Sequence, residues 1–144
     1  MIVIPSIIPS KIEHVEADDE VVIIKEIWSE EELLDYVKEE AIKSGVSESL
    51  AIKIIKCEAP WKGLKDNRYY DINDSQSRLT YNAGQISRNP SWGNVGDREK
   101  SYGIWQYHIP AHNLTPEEAS SVEISTAKAM KDLKTNPKQW MCNR

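Results

Sequence analysis

The sequence predicts an α+β fold, mostly α, in one domain preceded by an arm. Three observations carry this. Two segments open on capping boxes, at Ser29 with Glu32 and at Thr115 with Glu118. Apolar residues recur at helical spacing after the first box and again in "LAIKII". Residues 61–100 are instead rich in Asn, Asp, Gly, Ser and Tyr, the composition of a small irregular β or loop region. A chain of 144 residues suits a single domain.

Residues 1–27 read as an extended leader or arm. They hold "IVIPSIIP", an acidic run, and the β-branched "VVIIKEI", which suits a short strand or an arm lying on the domain. The apolar start is too short to span a membrane and lacks the basic flank of an intact signal peptide. The domain proper covers residues 28–144. Its first helix follows Ser29, places Leu33, Leu34, Val37 and Ala41 on one face, and stops at Gly45. A second helix begins near "SES". Leu50, Ile54 and Cys57 share one face of it, with Ala51 and Ile55 beside them. Pro60 disfavours helical geometry at Ala59, so Glu58 stands at the C-terminal end. A short helix is predicted near "YGIWQ". Thr115 starts the last helical section, with Pro116 at the first position. A helix from about Val122 to Leu133 then turns Ile124, Ala127 and Leu133 inward, and "NPKQW" ends it.

Charge and composition narrow the partners. The net charge of -5 argues against nucleic acid. Residues 1–60 carry 14 acids and 6 bases, and residues 61–144 carry 9 acids and 12 bases, so the second half is mildly basic. Eight of the eleven Trp and Tyr residues lie between 61 and 107, where they serve either sugar stacking or a core built without Phe. Cys57 and Cys142 do not form a zinc pattern. Paired, they would add roughly 4–5 kcal/mol by the loop-entropy estimate and imply an oxidising compartment. Unpaired, they are buried thiols.

Glu58 is the first candidate for chemistry. A carboxylate at a helix C-terminus meets the negative end of the helix dipole, and Cys57, Ala59, Pro60 and Trp61 would desolvate it. Both effects favour the protonated form that a general acid needs. The alternative is a surface Glu. A thiol nucleophile at Cys57, served by His108 or His112, has no motif supplying a base or oxyanion hole. Pro110 spoils a helical metal pair of His108 and His112, so no metal site is expected, and both histidines read as structural. Sequons such as those at 73–75 and 113–115 are common chance matches.

Four stretches, "IIKCEAPW" (54–61), "SYGIWQYHIPAH" (101–112), "LTPEEA" (114–119) and "NPKQWMC" (136–142), together resemble the lysozyme-like superfamily in its soluble lytic transglycosylase and goose-type lysozyme branches. The resemblance covers about residues 30–144. It implies a lysozyme-like fold with Glu58 as the single catalytic acid. It also implies that Ser101, Tyr102, Gly103, Gln106 and Tyr107 bind an N-acetyl sugar, with Gly103 allowing close approach. Cys57 and Cys142 resemble a subgroup in which they pair. The sequence departs at Ala59, where the family has Ser, and at Tyr107, where it has an aliphatic residue. "YNAG" (81–84) precedes the Gln block instead of following it, so no catalytic role passes to Tyr81.

The implied activity is cleavage of the MurNAc–GlcNAc β-1,4 bond of peptidoglycan, without a cofactor, by a monomer in the cell envelope or outside the cell. In the transglycosylase outcome Glu58 protonates the glycosidic oxygen, then serves as base toward the sugar's C6 hydroxyl. In an inverting lysozyme a second carboxylate activates water from ~6.5–9.5 Å away. The candidates are Asp71, Asp74, Asp97 and Glu99, with Glu99 nearest the binding block. Ala59 keeps open a non-catalytic glycan-binding module.

Overall fold

The computed structural model describes residues 10–15, 20–25, 28–58 and 76–140. The described part is mostly helical, with two small antiparallel strand pairs. Strands β1 (Ser10–Val15) and β2 (Glu20–Lys25) pair in register from Ser10↔Lys25 to Val15↔Glu20. The β-branched "VVII" tract accounts for β2, which lies against the last helix. The arm predicted over residues 1–27 thus contains a hairpin.

Helix α1 (Glu30–Ser44) starts at the Ser29–Glu32 capping box and ends on Gly45 in the left-handed conformation, as its sequence predicts. Leu33, Val37 and Ala41 are buried, and Leu34 packs beside them. Helix α2 (Glu48–Glu58) is capped by Ser47, whose hydroxyl accepts the Leu50 N–H at 3.2 Å. It packs against α1 and buries Ala51, Ile54 and Ile55. Helix α3 (Ala83–Arg88) opens on Asn82, which forms a capping box with Gln85. The Asn of "YNAG" is therefore a helix cap.

The helix predicted near "YGIWQ" is a hairpin. Strands β3 (Ser101–Tyr102) and β4 (Tyr107–His108) pair across a tight turn at 103–106. Gly103 and Gln106 both have positive φ, 76° and 49°, which a helix cannot accommodate. Gly103 is also pressed against the carbonyl of Ala119, where a Cβ would overlap the oxygen. Ala119 belongs to α4 (Pro116–Ser120), which starts at the Thr115–Glu118 capping box.

Helix α5 (Val122–Thr135) follows after Ser121 and packs against α1 and α4. Its buried stripe is Val122, Ser125, Thr126, Ala129, Met130 and Leu133. Ala127 is exposed and Ile124 half-buried, against expectation. The stripe is hard to see because two of its members carry hydroxyls. The interior satisfies both: Ser125 donates to the Ser121 carbonyl at 2.6 Å, and Thr126 accepts the Trp105 indole N–H at 3.0 Å. Trp140 closes the core by donating its own indole N–H to the Trp105 carbonyl at 3.0 Å.

Gly103→Ala would meet both a left-handed backbone and the Ala119 carbonyl. The expected loss is about 3 kcal/mol or more of unfolding free energy. Urea denaturation reads it, and an unchanged midpoint would contradict the packing described.

Candidate functional site

Helix geometry decides where the Glu58 side chain goes. Ala51, Ile54, Ile55 and Glu58 stand at i, i+3, i+4 and i+7, one stripe of an α-helix. The first three are fully buried and Glu58 is half-buried. The carboxyl therefore sits where the core-facing stripe of α2 reaches its end. Lys53 and Lys56 occupy the outer side and are exposed. So is Cys57, which turns out beside Lys53 instead of on the apolar face. No free cysteine occurs among the described residues, which leaves Cys57 no thiol for nucleophilic chemistry. Cys142 lies outside the described residues, as do residues 59–75 and with them Asp71 and Asp74.

The 101–107 block reaches the same core. Ile104, Trp105 and Tyr107 join Ile54 and Ile55 in one hydrophobic cluster. Cross-strand pairing sorts the side chains of the hairpin. Tyr102 and Tyr107 are one pair, and both pack into or against the core. Ser101 and His108 are the other pair and face the opposite way.

This corrects the expectation for Tyr107. It is buried, and its hydroxyl donates to Asp132 Oδ2 at 2.8 Å. Burial, reinforced by the Asp132 carboxylate, holds its phenol far above the ordinary tyrosine value. Burial alone would raise the Asp132 carboxyl, but the Tyr107 hydroxyl and Lys128 at 3.2 Å help to hold it below the usual range. Tyr107 is a strut between β4 and α5. The close approach at Gly103 is likewise internal, by the Ala119 backbone. Gln106 is half-buried, and its amide nitrogen donates to the Gly103 carbonyl at 2.8 Å, closing the turn. Tyr102 is half-buried.

Ser101 is buried, and its hydroxyl donates to Glu99 Oε1 at 2.8 Å. Glu99 is half-buried, so this pair places a carboxylate beside the block. Asp97 is exposed, and its Oδ2 accepts the Asn94 N–H at 2.9 Å, which ties a surface loop. Of the two described candidates for a second carboxylate, Glu99 is half-buried and Asp97 exposed.

Sequence reasoning missed the cluster around His108. Tyr81 is buried, accepts the Lys100 N–H at 3.0 Å, and lies 2.6 Å from His108 Nε2. The phenol has one proton. Either the phenol donates to Nε2 or an Nε2–H donates to the phenol oxygen, according to the imidazole tautomer. Trp92 packs edge-on to His108 with ring centres 4.3 Å apart. Burial lowers the His108 pKa, the charge of Glu99 opposes this, and His112 and Lys100 add to it. Burial also raises the Tyr81 pKa. Tyr81 and His108 are 27 positions apart, and no local pattern joins them.

Comparison with protein-family models, with curated proteins and with solved structures finds no match to this chain. Among the described residues no group of three His, Cys, Asp or Glu side chains converges to hold a metal, and no helix is long and apolar enough to cross a membrane.

Both His108 and His112 have pKa values lowered by burial. Protonation is therefore easier in the unfolded chain, and their contribution is full above about pH 6.5 and lost as pH falls below it. Urea midpoints compared at pH 7.5 and 5.5 should fall on acidification, and fall less in His108→Gln. An equal fall in both proteins would contradict the buried neutral imidazole.

Proposed function

We propose that the protein is a peptidoglycan-cleaving lytic transglycosylase with a lysozyme-like fold, acting on the MurNAc–GlcNAc β-1,4 bond. The observation that supports it most is the position of Glu58. A carboxyl that ends the buried stripe of a short helix is partly withdrawn from water yet still reachable. That is what a general acid toward a glycosidic oxygen requires. The second support is the Ser101–Glu99 pair beside a turn that shares a core with α2.

In this reading protonated Glu58 gives its proton to the leaving oxygen as positive charge grows at the anomeric carbon. The resulting carboxylate then takes the proton of the C6 hydroxyl, which closes a 1,6-anhydro ring without consuming water. Ser101, Tyr102 and Gln106 would contact the sugar, with the Glu99 carboxylate beside Ser101. The half-buried Glu99 gives hydrolysis a specific alternative, in which its carboxylate activates water. A binding module without turnover is the contrasting reading, because Ala59 removes the hydroxyl that follows the acid in the resembled family. The enzyme would work in the cell envelope or outside the cell, as a monomer with Cys57 and Cys142 paired.

A zymogram on purified cell walls should show clearing by the wild type. Glu58→Gln should lower the rate by at least ~10²–10⁴-fold, the usual contribution of a general acid. Retained activity in that variant would remove the mechanism, and absence of clearing by both proteins would favour the binding module. Mass spectrometry of the digest should find 1,6-anhydro ends. Reducing ends alone would instead assign the hydrolytic route and Glu99 as its base.

A further inference from the structure

The outer side of the α1–α2 pair carries a depression of about 780 Å³. Ile42, Val46 and Ile52 form its apolar part, and Lys38, Lys53 and Lys56 its cationic part. Ile42 is 63% exposed, whereas the other apolar side chains of α1 are buried or half-buried. Charge is segregated here. Residues 28–58 hold eight acids and four lysines, a net of -4. Three of those lysines line the depression but only one acid, Glu48, a net of +2. The fourth lysine, Lys43, pairs with Glu40 at 3.2 Å.

Lysines beside an apolar floor, half-buried at Val46 and Ile52 and exposed at Ile42, fit a ligand that carries carboxylates next to methyl groups. A phosphate polymer would satisfy the lysines and leave the exposed Ile42 in water. We propose that this depression is a non-catalytic anchoring site for the acidic peptide stems of the cell wall. The proposal rests on the peptidoglycan reading of the Glu58 site. Helix α2 keeps the two sites apart, because Lys53 and Lys56 stand opposite the stripe of Ala51, Ile54, Ile55 and Glu58. A stem held on the outer side thus leaves the Glu58 side unobstructed. Each exposed lysine contact is weak and screened by salt. A wall presents many stems on one polymer, so rebinding converts weak contacts into retention.

Sedimentation with purified sacculi tests this in the Glu58→Gln background, where binding is read without turnover. Binding should be roughly tenfold weaker in Lys38→Glu/Lys53→Glu, as expected for two reversed surface contacts. It should weaken similarly on sacculi stripped of their stems by an amidase, and fall with added salt. Removing phosphate polymers with hydrofluoric acid should leave it unchanged. Ile42→Ser, at an exposed position, should also weaken it while circular dichroism stays native. Equal binding by the parent and the double variant, no binding by either, or loss on hydrofluoric acid treatment alone would each overturn the anchoring site. Failure of the wild type to cleave cell walls would overturn the catalytic reading instead, with the sedimentation result still deciding whether stems are bound here.

Discussion

The backbone of Gly103 lies against the carbonyl of Ala119, and the arrangement of the C-terminal half follows from that contact. It brings the first residue of the 103–106 turn onto the end of α4. The turn then has to reverse within four residues, which it does with positive φ at Gly103 and Gln106. Reversal drives Ile104 and Trp105 inward. Trp105 in turn engages α5 through Thr126 and Trp140 through its own carbonyl. Segments far apart in sequence are thereby fixed through one turn.

The same turn shares a core with the helix that carries Glu58. Ile104 and Trp105 meet Ile54 and Ile55 in a common cluster, and Glu58 is the next member of that helical stripe. The Ser101–Glu99 pair and the Tyr81–His108 pair hang on the opposite face of the hairpin from Tyr107. Tyr107 and Asp132 brace the hairpin from behind. The Ser101–Glu99 pair is thus carried on a hairpin braced by Tyr107, and a site built on such a supported element is held more precisely than one on a loop.

Local physics made part of this legible in the sequence. The caps at Ser29 and Thr115 are recognisable because both partners of each box lie within four residues. The hairpin at 101–108 is not, because the close packing that shapes its turn comes from Ala119, sixteen residues beyond Gly103. Ser125 and Thr126 read as surface residues by type; the interior accepts them because Ser125 bonds back to the Ser121 carbonyl and Thr126 meets the distant Trp105. The family resemblance puts Tyr107 in a sugar site, and neither its cross-strand partner nor Asp132 is visible from spacing. His108 was expected to be structural, but its Tyr81 and Trp92 contacts had no signal in the chain.

The central claim is that Glu58 and the 101–106 turn face one glycan from two sides. A crystal structure of Glu58→Gln soaked with a chitooligosaccharide tests it most directly. The account predicts a glycosidic oxygen within about 2.6–3.2 Å of the residue 58 side chain, with a sugar resting against Ser101 and Gln106. A chain of sugars bound away from both, or a residue 58 side chain that no glycosidic oxygen approaches, would contradict it.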